Sequence, residues 1–231
     1  RSLTDLLGLI EEIDNFSLKK KKKVTPFLIR ELLKNFEETH CSPKSDNNHL
    51  GVPLSLSSLN KNHKYGVFEV GMSKKGEINN LTKLVRPHIG IITNIGEAHI
   101  ENFKNLRDIA DAKGEIINNI QRGGTLILNK DDKYFNYLRK KAIKKNLKVV
   151  SYGKDKDSYV HFIKMIKSKN KTKLKVKVGN QILIFSIKNI NIYNVLSAIA
   201  LLDELDLDFK KILKYFEIYQ PTEGRGRLHK I

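Results

Sequence analysis

The sequence has a single cysteine, no tryptophan and no long apolar run. The lone Cys41 cannot form a disulfide within the chain, and such sparse cysteine is typical of proteins from a reducing compartment. Without a run of about 18 apolar residues, a transmembrane helix is not expected. Residues 1–16 are acidic and amphipathic rather than basic and then apolar, which argues against a secretory signal. We therefore expect a cytoplasmic protein that makes no membrane contact.

Glycine is missing from a long stretch near the N-terminus, because none lies between Gly8 and Gly51. No Gly-Lys-Ser or Gly-Lys-Thr occurs anywhere in the chain. A loop that wraps phosphate needs glycines, since only they let the backbone approach the ligand closely. Pro26 also lacks an amide donor. The lysine run at 19–23 could attract phosphate loosely, but it is not a phosphate-binding loop of this kind.

Acidic residues are few relative to basic ones: 25 Asp and Glu stand against 43 Lys and Arg, a net charge of +18. Lysine dominates, and it is spread along the chain apart from 19–23 and the segment 164–178. A nucleic-acid interface usually combines a basic stripe with arginines and stacking aromatics. We therefore do not expect nucleic-acid binding as the main function, although attraction to polyanionic phosphates fits the charge.

Hydrophobic residues make up 40% of the chain and fall into alternating strand-like and helix-like segments. The predicted strands span 65–70, 88–93, 125–129 and 148–153, and the predicted helices span 76–85, 105–120 and 132–146. Continuous apolar strands separated by helices indicate a parallel sheet covered on both faces. We predict an α/β fold with a mostly parallel sheet.

The pattern changes after this segment. Residues 159–187 alternate apolar and charged side chains, with Gly179-Asn180 as a turn, which predicts an antiparallel meander with one solvated face. Helices are predicted at 191–204 and 208–217. The meander is therefore expected as a small insert at about 155–188.

One lysine lies on the apolar face of the predicted helix 105–120. Lys113 follows Leu106 by seven residues and Ala110 by three, inside the helical stripe. A buried ammonium is costly unless it is paired, neutralised or modified. The alternative is a lysine whose stem covers apolar surface while its amine reaches water.

Two further ionisable residues follow predicted strands. Glu69 lies at the end of the first strand, and His99 lies a few residues past the end of the second. Because ligands of open α/β sheets bind beyond the carboxyl ends of the strands, we expect Glu69, His99 and Lys113 to converge at one rim. Glu and His together suit a divalent metal. The alternatives are a structural salt bridge for Glu69 and a helix-capping or core role for His99.

Five ordered segments resemble the ATP-dependent Mur ligases, and most closely the MurF type. They are NNHLGVPLSL (47–56), FEVGMSKKGEI (68–78), RPHIGIITNIGEAHIENF (86–103), AKGEI (112–116) and GRGRLH (224–229). The resemblance covers residues 24–231 and implies the fold of that family's central ATPase domain, which is like that of phosphate-loop proteins. It implies a ligase of peptidoglycan precursor synthesis that uses ATP and Mg²⁺. Such enzymes add D-alanyl-D-alanine to UDP-N-acetylmuramoyl tripeptide through an acyl phosphate.

The resemblance also implies roles for the three ionisable residues. The lysine that matches Lys113 is carbamylated by CO₂ in such ligases, and the resulting anion helps to hold Mg²⁺. The residues that match Glu69 and His99 bind magnesium. A lysine sheltered on an apolar face is more easily neutral, and the neutral amine reacts with CO₂.

Further roles come from the same resemblance. Asn194 matches the adenine-contacting asparagine, but this chain has Tyr193 where the family usually has histidine. Arg227 matches the linker arginine that meets the γ-phosphate, with Arg225 as an alternative register. Asn47 and Asn48, the first two residues of the segment 47–56, match the loop near the muropeptide substrate.

The departures from the family lead to expectations about the whole chain. We expect residues 1–23 to be the remnant of an N-terminal domain and linker, 24–220 the central domain, and 221–231 a linker to a missing C-terminal domain. As a monomeric fragment without a phosphate loop, the chain is expected to show no ligase turnover and weak ATP affinity. The alternatives are another Mur or folylpolyglutamate-type ligase, or a degenerate module without catalytic activity.

Overall fold

The computed structural model describes residues 25–42, 46–97, 100–167, 172–188 and 190–219. The helices are α1 (Thr25–Leu33), α2 (Gly51–Ser57), α3 (Glu77–Val85), α4 (Leu106–Lys113), α5 (Phe135–Lys144), α6 (Ile192–Glu204) and α7 (Phe209–Ile218). The strands are β1 (Thr39–Cys41), β2 (Tyr65–Val67), β3 (Ile89–Ile92), β4 (Thr125–Asn129), β5 (Lys148–Gly153), β6 (Val160–Lys167), β7 (Thr172–Val178) and β8 (Gln181–Ile187). Short 3-10 helices span Ile100–Asn102 and Gly114–Asn118.

The strands form a parallel pair, β1 with β2, and a six-stranded sheet in the order β3-β4-β5-β6-β7-β8. Strands β3 to β6 are parallel to their neighbours, while β6, β7 and β8 pair antiparallel. The two parts join where Tyr152 pairs with Val160 and Gly153 with His161. The predicted α/β fold with a small antiparallel meander is confirmed, and the meander extends the main sheet.

Helices cover both faces of the parallel strands, as the continuous apolar strands predict. Ile91 and Ile127 pack into a buried cluster with residues of α1, α6 and α7. Their strand neighbours Ile92, Leu126 and Leu128 pack into a second cluster with residues of α3, α4 and α5. Because successive strand residues point to opposite faces, the two clusters lie on opposite sides of the sheet.

The meander has one buried and one solvated face. Leu174, Val176 and Val178 of β7 are buried, whereas Lys173 and Lys177 are exposed. The buried face packs on α7, where the centroids of the Phe185 and Phe216 rings lie 5.2 Å apart. This alternation is the predicted one.

Two predicted elements are shorter than expected. The strand predicted at 65–70 ends at Val67, so Glu69 lies in the segment beyond the paired region. The helix predicted at 105–120 is α-helical only to Lys113 and continues as the 3-10 turn Gly114–Asn118. Gly114 weakens α-helix propensity at this point, and 3-10 turns are frequent at helix ends. Among the described residues, no helix is both long and apolar enough to cross a membrane.

Candidate active site

Glu69 is a buried carboxylate just beyond the end of β2. Its exposed fraction is 3%, which is unusual for an acidic residue without partners. The amide Nδ2 of Asn47 donates a hydrogen bond to Oε1 of Glu69 at 2.9 Å. The structure therefore brings together two predicted site residues that are separated by 22 positions in the sequence.

The backbone around Asn47 is held closely against the segment that follows Glu69. The Gly71 amide donates to the Asn47 carbonyl oxygen at 2.7 Å. A Cβ on Gly71 would lie 2.9 Å from the Asn47 side chain, so a larger residue here would displace the amide that bonds Glu69. Gly71 thus belongs to the site, although its role was not evident from the sequence.

Asn48 has a different local task. Its Oδ1 accepts hydrogen bonds from the backbone amides of Leu50 at 3.0 Å and Gly51 at 2.9 Å, at the start of α2. This is the usual way in which asparagine satisfies amides at the beginning of a helix. The substrate contacts predicted for Asn47 and Asn48 remain predictions.

Lys113 is buried at the end of α4 with an exposed fraction of 1%. Its Nζ donates a hydrogen bond to the carbonyl oxygen of Asn94 at 2.8 Å, in the segment that follows β3. The amine therefore does not reach solvent, and the alternative of a lysine extending into water is not supported. The helical periodicity correctly predicted that Lys113 lies on the buried face of the helix.

Glu115 links the lysine helix to the segment that follows Glu69. Its carboxylate accepts hydrogen bonds from the amides of Gly76 at 2.7 Å and Asn79 at 3.0 Å, and so caps α3. A second link is the ion pair between Lys75 and Asp108 at 2.6 Å. This role of Glu115 was not predicted, and its only signal in the sequence is a carboxylate two residues after Lys113.

A second group of contacts lies at the carboxyl ends of β4 and β5. Asp131 accepts hydrogen bonds from the amides of Lys154 at 2.6 Å and Asp155 at 2.9 Å. It also accepts one from the hydroxyl of Tyr193 at 3.0 Å. Asp132 accepts one from the amide of Ile95 at 2.6 Å and so ties the loop after β3 to the loop after β4. This is the edge at which parallel sheets bind ligands.

Tyr193 and Asn194 lie in the first turn of α6, which Asn191 caps by accepting from the Tyr193 amide at 2.8 Å. Burial, together with the hydrogen bond to Asp131, raises the pKa of Tyr193 to about 12. Tyr193 is thus a neutral hydrogen-bond donor anchored to the β4 loop. Asn194 is half-buried beside it, and its adenine contact remains a prediction.

A buried group of hydrogen-bonded polar side chains, not predicted from the sequence, joins β1 to α2. The Nε2 of His40 lies 2.9 Å from Oγ of Ser55, and Ser55 donates to Oγ of Ser42 at 3.0 Å. Burial, followed by the nearby charges of His63 and Arg30, lowers the pKa of His40 below its usual value of 6.5. This hydrogen-bonded group holds β1 against α2, and no catalytic role was predicted for its residues.

His99 and Arg227, with the alternative Arg225, lie outside the described residues. Their predicted roles therefore remain predictions. Within the described ranges, no three His, Cys, Asp or Glu side chains form a metal-binding group.

The likeness to known proteins agrees with this geometry. A sequence profile of the Mur ligase middle domain matches residues 24–202. The UDP-N-acetylmuramoyl-tripeptide--D-alanyl-D-alanine ligase of Buchnera aphidicola subsp. Baizongia pistaciae is 31% identical over 169 residues, covering 73% of this chain and 36% of that protein. The ligase of the same name from Rickettsia prowazekii is 30% identical over 188 residues, covering 79% of this chain and 41% of that protein.

Solved structures show the same likeness. Crystal structure I of MurF from Acinetobacter baumannii has a TM-score of 0.84 at 25% identity, and covers 98% of this chain and 48% of that chain. The MurF ligase from Thermotoga maritima in complex with ADP has a TM-score of 0.74 at 20% identity, covers 90% of this chain and 47% of its own, and shows the fold alone. The chain thus spans between 36% and 48% of the length of these four proteins.

Proposed function

The chain belongs to the Mur ligase family, and on this basis we propose that it is the nucleotide-binding part of a cytoplasmic, monomeric ligase. The proposed reaction joins D-alanyl-D-alanine to UDP-N-acetylmuramoyl tripeptide with ATP. The relatives at 30% and 31% identity carry that activity in their names. The chain spans less than half of the length of these relatives. The complete reaction is therefore proposed for a full-length ligase that contains such a segment.

The observation that carries the proposal is the burial of two charged side chains beside the sheet. Glu69 and Lys113 are 3% and 1% exposed. Glu69 accepts a hydrogen bond from Asn47 in the loop before α2, and Lys113 donates one to the Asn94 carbonyl in the loop after β3. Burying such groups is costly unless a partner or a reaction makes use of them. Both side chains lie in segments near the carboxyl ends of strands, which is where open α/β sheets bind their ligands.

The donor set fits Mg²⁺ on one condition. Glu69 offers a carboxylate, which is the kind of hard oxygen ligand that Mg²⁺ prefers. Lys113 as an amine offers no oxygen, whereas its carbamate would present two oxygens from the same buried position. Bound Mg²⁺ would offset the negative charge of the γ-phosphate during its transfer.

The remaining tasks fall to the residues of the chain. The proposed reaction first transfers the γ-phosphoryl group of ATP to the terminal carboxylate of the muropeptide, and the dipeptide amine then attacks the acyl phosphate and releases phosphate. Asn47 fixes the direction of the Glu69 carboxylate, and the Asn94 carbonyl fixes the Lys113 nitrogen. Asn194 would contact the adenine, and Arg227 and His99 would act on the phosphates and the metal.

A hybrid ligase tests this proposal. In it, residues 46–219 of this chain replace the matching segment of the Buchnera ligase, which keeps its own phosphate-binding region and flanking parts. We expect phosphate release that requires ATP, UDP-N-acetylmuramoyl tripeptide and D-alanyl-D-alanine together. A hybrid that unfolds cooperatively and binds ADP, yet releases no phosphate with this substrate pair, would contradict the proposal. Other dipeptides and amino acids in the same assay distinguish the sibling ligases.

A second candidate function is a Mur-like module without catalytic activity. The absence of Gly-Lys-Ser and Gly-Lys-Thr from the whole sequence favours it for the chain by itself. We expect the 231-residue chain alone to bind ATP weakly and to release no phosphate in response to D-alanyl-D-alanine. Measurable release by this chain alone would contradict that expectation.

A further inference from the structure

We propose that Asn47 is a positioning residue that holds the Glu69 carboxylate in the orientation needed for a divalent cation. This inference rests on the proposed function, because it assigns Glu69 to the metal site of the ligase. It adds to that function a role for Asn47 that differs from the substrate contact implied by the family resemblance. The juxtaposition that carries it is the contact between Nδ2 of Asn47 and Oε1 of Glu69 at 2.9 Å.

The chemistry of the contact fixes its direction. An ionised carboxylate only accepts hydrogen bonds, so the Asn47 amide nitrogen must be the group that faces it. With Oε1 engaged by this donor, rotation of the carboxylate about its last torsion would break the bond. A metal-binding carboxylate that is held by an outer hydrogen bond loses less freedom when the cation binds.

The loop that carries Asn47 is itself held in place. The Gly71 amide binds the Asn47 carbonyl at 2.7 Å, two residues after Glu69. On the other side, a Cβ on Gly51 would lie 2.5 Å from the backbone of Asp46, so glycine is needed there. The backbone hydrogen bond from Gly71 therefore ties the loop of the donor to the segment of the carboxylate, and the close approach of Gly51 to Asp46 holds the loop itself.

Neighbouring asparagines show that this arrangement is particular to Asn47. Asn48 uses its side-chain oxygen on the amides that begin α2, and Asn35 uses its Nδ2 on the carbonyl oxygen of Glu31 at 2.6 Å. Both serve backbone groups. Asn47 directs its amide to an acidic side chain that is 3% exposed.

The test measures Mn²⁺ binding by the full 231-residue chain, with electron paramagnetic resonance of the free ion as the readout. Mn²⁺ serves as the probe in place of Mg²⁺, and no nucleotide is added. We expect Glu69→Gln to abolish the tight component of binding. Asn47→Ala should weaken it about tenfold, the usual scale for an outer partner of a metal ligand.

A double-mutant cycle separates positioning from a general structural effect. In the Glu69→Gln background, Asn47→Ala should cause no further loss of Mn²⁺ affinity, because its target is already gone. Asn35→Ala removes a comparable amide donor elsewhere and should leave the affinity unchanged. The rise in melting temperature on adding Mn²⁺ gives a second readout and should shrink in parallel. If Asn47→Ala does not fold, Asn47→Leu keeps the side-chain shape without the donor.

Three outcomes are decisive. A tenfold loss that vanishes in the Glu69→Gln background supports the positioning role. If Glu69→Gln weakens Mn²⁺ binding but both Asn47 variants bind like the unaltered chain, the positioning role is wrong while the metal site stands. If Glu69→Gln binds Mn²⁺ as the unaltered chain does, the proposed metal site is wrong, and the role of Asn47 with it.

Discussion

Lysines in the two halves of the molecule, the parallel α/β part and the antiparallel meander, differ in whether they are buried or exposed. In the meander, Lys173 and Lys177 alternate with buried residues and stand in solvent, so their charge costs little. In the parallel half, Lys113 lies within the apolar stripe of α4 and is 1% exposed. The residue type is the same, and only its phase in the periodic pattern differs. A basic composition therefore says little about function, whereas a lysine on the buried face of its helix indicates a site.

The largest expected difference between the halves is in catalysis. In the hybrid ligase, Lys113→Met should lower phosphate release by about 10²–10³-fold, the scale of losing one charged group from a phosphoryl-transfer site. Methionine fills a similar volume, so the fold should persist. Lys175→Met in β7 is the matched control and should change the rate by less than about twofold. Equal effects at the two positions would remove the distinction between the halves.

The next largest effect concerns the link between Glu115 and α3. Glu115→Ala leaves the amides of Gly76 and Asn79 without their acceptor, and should lower the free energy of unfolding by about 1–2 kcal/mol. Glu31→Ala removes surface ion pairs with Lys34 at 3.3 Å and Arg30 at 3.9 Å and should cost less than about 1 kcal/mol. Urea denaturation of the full chain measures both. A smaller loss for Glu115→Ala than for Glu31→Ala would contradict the capping role.

Stability is expected to depend on pH through the buried hydrogen-bonded group that joins β1 to α2. The pKa of His40 is lowered from 6.5, first by burial and then by His63 and Arg30, so the unfolded chain binds this proton more readily than the folded chain. Stability should therefore fall as the pH drops below about 6.5 towards the lowered pKa of His40. His40→Gln should flatten this part of the profile of melting temperature against pH. An unchanged slope in that variant would assign the effect to other groups.

The smallest effect is expected on the solvated face of the meander. Lys173→Gln and Lys177→Gln should each change the free energy of unfolding by less than about 0.5 kcal/mol, because both side chains are exposed. Urea denaturation under the conditions used for Glu115→Ala makes the values comparable. A loss of 1 kcal/mol or more would show that these lysines hold the sheet together.

Local pattern predicted most of the fold and part of the site. The strands at 125–129 and 148–153 have the predicted bounds, because each is an apolar run that ends at turn-forming residues. Helical periodicity placed Lys113 on the apolar face but left open whether its amine reaches water, and the structure shows it buried. The strand that leads to Glu69 was predicted too long, since the chain stays buried after its pairing with β1 ends at Val67.

The contacts that give the site its geometry could not be predicted in this way. Asn47 meets Glu69 across 22 positions, and Tyr193 meets Asp131 across 62. Each pair depends on how loops from different strands fold against one another, and no periodic pattern encodes that. The glycines at 51 and 71 were visible in the sequence, but their close approaches to Asp46 and Asn47 appear only in three dimensions.

The central proposal is that Lys113, which is buried with its amine on the Asn94 carbonyl, acts as a carbamate. Carbon-13 NMR of the full chain in buffer that contains ¹³C-labelled bicarbonate tests it most directly. The account predicts a carbamate carbon signal in the unaltered chain and in Lys175→Met, and its loss in Lys113→Met. A spectrum without a carbamate signal, or a signal that persists in Lys113→Met, would contradict it.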